Sequence, residues 1–342
     1  MLTERQRTIL SAIIDDYIRS AEPIGSRSIS KRGNVGFSPA TIRNEMSDLE
    51  EMGFLEQPHT SAGRIPSHRG YRYYVDHLIE QGSLNPNELD LMKMYFSNKI
   101  QQMEDVIGHV ATVLSSLTNY TSIVLGPEVF GTTLKSVQIV PLTDTTAVAL
   151  IVTNTGHVEN RTFTLPQGMS MSDTQKVVNL LNDRLANVSL KQFKSKLFNE
   201  VANELSRYTS SYEELLSMIE GVLLSDEKDR IFISGSTNML TQPEFKDVDK
   251  VKNILDLLAE TPTLIRLITS SPEGLQVRIG AENPVQAITD CSLITATYSI
   301  DDQLIGTVGI LGPTRMEYGK VIRLLDYMSK NLEISLAKWY KT

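Results

Sequence analysis

Ser38 and Pro39 open a stretch in which side chains suited to reading base edges recur at helical spacing. At about 100° per residue, Ile42, Met46 and Leu49 fall on one side of a helix, and Ala40, Arg43, Asn44 and Ser47 on the other. Arg donates two hydrogen bonds to guanine O6 and N7, and Asn pairs with adenine N6 and N7, both in the major groove. Ser38 and Thr41, in the first turn, complete that candidate contact set. Upstream, Arg27, Ser28 and Lys31 are candidate phosphate contacts. Downstream, His59-Thr60-Ser61-Ala62-Gly63-Arg64 is a small cationic tip, with His59, Thr60 and Arg64 able to approach a phosphate or a minor groove. The same residues fit a three-helix protein-docking module with a solvated outer face. Asp48, Glu50 and Glu51 suit that second reading, although acids at the far end of a reading helix need not enter the groove.

Other residues offer less. Gly306, Gly309 and Gly312 have the spacing of a nucleotide loop, but they lie in a strand-like run before Pro313. A dinucleotide loop needs strand, turn and then helix, so tight sheet packing and a turn is the reading. Ser234-Gly235-Ser236 lacks the frame of a nucleophile elbow and reads as a turn. His109 and His157 have no second ligand one helical turn away, and His59, His68 and His77 read as solvated or phosphate-adjacent. Cys291 opens an apolar strand and reads as a small buried hydrophobe. Neither a metal nor a cofactor is expected.

These side chains need a frame, and the pattern supplies one. Thr3 and Gln6 form a capping box ahead of Ile9, Leu10, Ile13, Ile14, Tyr17 and Ile18, a helical stripe. A short helix is expected around residues 28–32, stopped by Gly33 and Asn34. Ser38 at N-cap and Pro39 at N1 start a third, which runs to about Met52. Residues 55–65 fit a hairpin, and a fourth helix follows with Tyr71, Tyr74, Val75 and Leu78 on one face. That order is a helix-turn-helix followed by a wing. Residues 81–87 read as a linker. Ile100, Met103, Ile107, Val110, Leu114 and Leu117 form a heptad-like seam, too short to favour a coiled coil over packing on a sheet. Strands are expected at residues 135–141, 146–152 and 157–164, then helix from Ser172 to about Leu224. Further strands are expected at 230–234, 264–269, 275–279, 291–298 and 304–311, with a closing amphipathic helix through Val321, Leu325, Met328 and Leu332. Strands, helices, then strands again imply an α+β domain with a helical insertion.

Composition sets the bounds. The chain has 342 residues, 41% hydrophobic and 22% charged, which are globular values that exclude collagen-like, fibrous and disordered classes. The first 77 residues carry ten Lys/Arg and ten Asp/Glu, whereas the remainder carries 23 and 31, so the whole deficit of −8 lies downstream. A uniformly basic coat protein is excluded; a local DNA-reading face is not. A single cysteine excludes a disulfide framework and any two-cysteine zinc site. No apolar run reaches about 18 residues and no signal peptide is apparent, so no membrane contact and a cytoplasmic location are expected.

Residues 38–76 strongly resemble the HrcA family of heat-inducible transcription repressors, most specifically from Ala40 to Met46 and from Glu56 to Pro66. The resemblance continues in Leu117-Thr118-Asn119-Tyr120-Thr121-Ser122, in Arg278-Ile279-Gly280-Ala281-Glu282-Asn283, and from Gly306 to Met316, so it spans essentially the whole chain. It implies an α+β homodimer with an N-terminal winged-helix domain (1–80), a GAF-like α+β domain (90–165 and 226–342) and an inserted helical dimerising domain (166–225, or from near 135). It also implies double-stranded DNA bearing a CIRCE-type inverted repeat as the target, and a GroEL-type chaperonin as the partner that keeps the repressor competent. The inserted segment's apolar seams, Leu197, Val201, Leu205 and Leu215, Ile219, Val222, are the candidate dimer contacts. Two other readings stay open: a metabolite-responsive winged-helix repressor with a ligand pocket in the GAF-like domain, and a GAF-type signalling enzyme or sensor whose N-terminal part serves only for docking.

Overall fold

The computed structural model describes residues 2–59, 63–79, 84–97, 103–126, 133–143, 145–153, 158–165, 171–188, 196–197, 231–269, 273–300 and 303–340. The N-terminal unit begins with α1 (Glu4–Ser20), closed by the expected capping box: Gln6 N–H donates to Thr3 Oγ1 at 3.2 Å, and Thr3 N–H to Gln6 Oε1 at 3.0 Å. Next come α2 (Ser26–Ser30), starting two residues before the expected position, and α3 (Pro39–Glu51). The hairpin is short, β1 (Leu55–Glu56) paired antiparallel with β2 (Ile65–Pro66), and α4 (His68–His77) follows. Ile9, Leu10, Ile13, Ile14, Ile29, Ile42 and Leu49 are fully buried together. Each such aliphatic side chain contributes about 1.5–3 kcal/mol by leaving water.

After α5 (Pro86–Ser97) and α6 (Met103–Thr118), the chain builds a second unit around one sheet. Its strands are β3 (Thr121–Leu125), β7 (Ile231–Ser234), β8 (Leu275–Ile279), β9 (Cys291–Ile300) and β10 (Gln303–Pro313). They lie in the order β7-β3-β10-β9-β8, and every neighbouring pair is antiparallel. Alternation divides their side chains. Val124, Ile294, Ala296, Tyr298, Val308 and Ile310 face α6 and α10 (Tyr318–Tyr340). Ile123, Cys291, Leu293 and Leu311 face α8 (Val248–Ala259) and α9 (Thr261–Thr269). The heptad-like seam is therefore a sheet-packing face: Ile107, Val110 and Leu114 are buried. Gly306 is glycine for want of space, because a Cβ there would collide with the Leu125 carbonyl oxygen and the Tyr298 hydroxyl.

Residues 264–269, expected as a strand, belong to helix α9. Leu264, Leu267 and Ile268 recur at i, i+3 and i+4 and are buried, so the helical period overrides the local β-branched content. Helix α8 and strand β3 lie outside the elements expected from the sequence. α8 is capped by Asp247, whose carboxylate accepts from Asp249 N–H at 2.9 Å.

Strands β4 (Leu134–Pro141), β5 (Thr146–Thr153) and β6 (Val158–Thr164) pair only with one another among the described residues. Helix α7 (Met171–Leu185) packs on them, and Asn182 brackets the Val137 backbone: its Oδ1 accepts from Val137 N–H at 2.7 Å and its Nδ2 donates to Val137 O at 2.9 Å. Strand pairing thus groups residues 134–164 with α7 and not with the five-stranded sheet. Leu197, a candidate dimer contact, is buried within the single chain. Val201, Leu205, Leu215, Ile219 and Val222 lie outside the described residues.

The N-terminal unit is seated on the second one. Tyr71 and Tyr318 are both buried, with ring centroids 5.7 Å apart. Arg72 Nε donates to Glu282 Oε1 at 2.9 Å. Arg315 Nε donates to Glu244 Oε1 at 2.6 Å, and its Nη1 donates to the Ile18 carbonyl near the end of α1. Arg315→Ala leaves Glu244 partly buried without its cation and is expected to cost about 3 kcal/mol. Urea denaturation measures this; a loss under about 0.5 kcal/mol, the size of an ordinary surface change, would show that Arg315, held by Glu244 and bonded to the Ile18 carbonyl, does not help hold the two units together.

Candidate nucleic-acid interface

Helix α3 begins where the sequence asks it to. Ser38 Oγ accepts from Thr41 N–H at 3.1 Å and lies 2.9 Å from Thr41 Oγ1, so both hydroxyls are engaged in the cap. The helix buries Ile42, Met46 and Leu49, as the angular count predicts. Ala40, Arg43, Asn44 and Ser47 are exposed on its other side, and Ser38 is exposed at its start. Arg27, Ser28 and Lys31 are exposed on and just after α2, and His59 is exposed in the hairpin. Thr60 lies outside the described residues.

Charge pairing sorts the cations of this unit. Arg5 pairs with Glu45 at 3.2 Å, Arg32 with Asp16 at 3.3 Å, Arg64 with Glu50 and Arg72 with Glu282. Arg27, Lys31 and Arg43 have no carboxylate partner among the described residues. The unit is neutral in sum, and three of its cations without a carboxylate partner lie on and beside α2 and α3.

Arg64 is placed differently from a freely reaching phosphate contact. Its Nε and Nη2 both approach Glu50 Oε2 at 2.7 Å, and its side chain is 20% exposed. Its backbone also exchanges two hydrogen bonds of 2.9 Å with Ile24. Arg64 thereby ties the hairpin to the last turn of α3 and to the segment between α1 and α2. The adjacent Gly63 permits this approach, because a Cβ would run into the Ile24 backbone. The acids at the end of α3 that suited a docking module thus include one that anchors the wing.

Two contacts escaped the sequence reading. Arg5 reaches from α1 across to α3, where it pairs with Glu45 and lies 5.5 Å from the centre of the Phe37 ring. Arg69 stacks on Phe54 at 4.7 Å. Both join residues from different elements, and no local spacing signals them. Of the remaining chemical candidates, His157 lies outside the described residues. No cluster of metal-ligating side chains occurs among the described residues. Gly235 adopts φ 69° in a turn after β7. Burial pushes the Cys291 thiol up to about 12, so it stays protonated within the core.

A short helix, a turn, a second helix with a polar outer face and a tethered hairpin together define a winged-helix DNA-binding protein. The comparisons with known proteins narrow this. The model described as "Winged helix-turn-helix transcription repressor, HrcA DNA-binding" matches residues 1–76, and that described as "HrcA protein C terminal domain" matches residues 104–322. Over 341 residues the chain is 52% identical to the heat-inducible transcription repressor HrcA of Brevibacillus brevis, with 100% of both chains covered. It is 46% identical to that of Bacillus pumilus, with 99% of each covered. The chain belongs to the HrcA family of heat-inducible transcription repressors. A crystal structure of a hypothetical protein shares its fold at TM-score 0.68 and 23% identity, covering 99% of this chain and 100% of its own.

If Arg64 acts as a strut, Arg64→Ala and Glu50→Gln should weaken DNA binding alike, by about 0.5–1 kcal/mol, with the salt dependence unchanged. Titrations at several salt concentrations test this. A slope flattened by about one unit in Arg64→Ala alone would make Arg64 a phosphate contact instead.

Proposed function

We propose that the chain represses transcription of chaperone operons by binding a CIRCE-type inverted repeat as a homodimer, with α3 in the major groove. The observation that carries this is the outer face of α3, where unpaired Arg43 and exposed Asn44 stand beside each other on a helix whose other face is fully packed. The names of the relatives support repression and heat induction. Arg43, Asn44, Ala40, Ser47 and Thr41 read bases; Arg27, Ser28, Lys31, Ser38 and the hairpin residues His59 and Thr60 orient the unit on the DNA backbone, and Arg64 holds the hairpin against α3 through Glu50. One winged helix reads one half-site, and two fixed on a two-fold axis match an inverted repeat with combined affinity.

The dimer contact belongs to the inserted unit, which we start near residue 134 because its strands pair among themselves. The sheet face of β4–β6 turned away from α7 supports this. Val148, Leu150 and Val152 are half-buried there, and Val140 and Val158 are 42% and 54% exposed. The five-stranded sheet with helices on both faces is the GAF-like scaffold between the reading heads and that contact. Heat depopulates the DNA-competent form, since domains are stable by only about 5–15 kcal/mol. A GroEL-type chaperonin returns the non-native form when it is free of other clients, in the cytoplasm.

A gel shift on an inverted repeat, a single half-site and scrambled DNA, with and without chaperonin, tests the whole reading. Arg43→Ala and Asn44→Ala should each cost about 1–3 kcal/mol on the repeat and much less on scrambled DNA. Equal losses on both would remove the base-reading role. Leu150→Asp should halve the mass in sedimentation while circular dichroism stays native; a folded variant that remains dimeric would place the contact elsewhere.

A further inference from the structure

Where α1, α4 and α5 meet the start of α10 lies an open cleft of about 740 Å³. It is large enough for a metabolite, for which pockets of roughly 300–1,000 Å³ are usual. Most charges in its wall are already matched. Asp15 accepts from the Tyr74 hydroxyl at 2.8 Å and lies 3.8 Å from Arg32, and Lys320 pairs with Glu88 at 3.2 Å. Glu317 is solvent-exposed. Two guanidinium groups remain. Arg19, from α1, and Arg323, from α10, both line the cleft, and neither has a carboxylate partner among the described residues. Both lie near enough to the Tyr74 hydroxyl to oppose the burial that pushes that phenol upward.

Arg323 is the more telling of the two. Its Nε is closed to solvent and has no hydrogen-bond partner among the described residues, so any ligand contact falls to the rest of the guanidinium, which lines the cleft. The guanidinium lies against Gly319, where Arg323 Nη1 would be 3.3 Å from a Cβ. In that first turn of α10, Tyr318 N–H bonds Met316 O and Val321 N–H bonds Glu317 O, which leaves the Gly319 and Lys320 amides open among the described residues. Open amides at a helix N-terminus beside a guanidinium fork suit a tetrahedral oxyanion. Ile18, Leu78 and Ile79 supply apolar wall for an organic portion.

We propose that this cleft binds a small phosphate-bearing metabolite of nucleotide size, its phosphate held by Arg323 and the start of α10 and its charge shared with Arg19. Because Arg19 belongs to the N-terminal unit and Arg323 to the second, the bound anion ties the two together. Ligand that binds only the folded protein raises its melting temperature in a saturable way.

The full-length protein is dialysed to equilibrium against labelled ATP and pyrophosphate, without DNA and at fixed ionic strength, and its melting is followed in parallel. Saturable retention of one ligand per chain is expected, with a rise in melting temperature. Binding should be weaker by about tenfold in Arg323→Gln and in the surface variant Arg19→Ala, each of which removes one charged contact. Arg43→Ala, which does not line the cleft, should bind as the unaltered chain does. If Arg323→Gln fails to fold, Arg19→Ala decides. No saturable retention at millimolar ligand, full retention by Arg19→Ala, or loss of retention in Arg43→Ala would each overturn the proposal. Because no DNA is present, the result is independent of how the protein reads its operator.

Discussion

The packing of Tyr71 against Tyr318 is the contact on which the arrangement of the reading head depends. Both rings are buried where α4 meets α10, so the apolar core of the winged helix continues without a break into the core around α6 and α10. Burial holds both phenols well above their usual range, so they stay neutral and act as apolar plates with one polar handle each. The Tyr318 hydroxyl uses its handle, lying 2.7 Å from Ser292 Oγ and donating to Thr314 O. The Tyr71 hydroxyl has no hydrogen-bond partner among the described residues. A buried group left so costs about 1–3 kcal/mol, so this seam carries a built-in weakness that Arg72 and Arg315 offset from either side.

Those two arginines work differently. Arg315 is the more buried and binds a backbone carbonyl of α1, so it fixes where that helix ends relative to the sheet. Arg72 lies further out and binds Glu282 and the Val277 carbonyl. Burial alone would raise the Glu282 carboxyl, but the hydrogen bonds from Arg72 and Ile279 N–H outweigh it and hold the carboxyl below the usual range. A depressed carboxylate stabilises above its unfolded pKa, and the contribution fades as pH falls through the folded value. The outer latch is thus the one sensitive to acid and salt, and the inner one is shielded.

How much of this was legible in the sequence depends on the distance over which each signal acts. The capping box of Thr3 and Gln6, the Ser38-Pro39 start and the buried triad Ile42, Met46 and Leu49 are local, and each is found where expected. Residues 264–269 misled because so short a run, with Ile265, Ile268 and Thr269 β-branched, fits a strand, whereas the i, i+3, i+4 spacing of Leu264, Leu267 and Ile268 packs as a helix against the sheet. Strands β4 to β6 pair only with one another among the described residues, and hydrogen bonding between strands is non-local. Nothing in the run from 134 to 164 says which sheet it joins. Arg64 shows the same limit for the candidate site, since its type and setting pointed to phosphate while its partner, Glu50, sits fourteen residues away.

Charge carries the last step. A unit with ten cations and ten anions has no net attraction for DNA at long range, so affinity must come from how those charges are arranged. Arg5, Arg32, Arg64 and Arg72 are paired with carboxylates, and these pairs brace α1, α2, α3, the hairpin and the second unit against one another. Pairing them also removes their fields from the surface. Among the described residues, Arg27, Lys31 and Arg43 are left without a carboxylate partner along α2 and the first turns of α3, while the exposed Asp48 and Glu51 lie at the far end of that helix. Neutrality elsewhere weakens attachment to arbitrary DNA, which depends on total phosphate neutralisation, more than it weakens the base contacts proposed for Arg43 and Asn44. Specificity in this fold therefore follows from which arginines are occupied as much as from which are free.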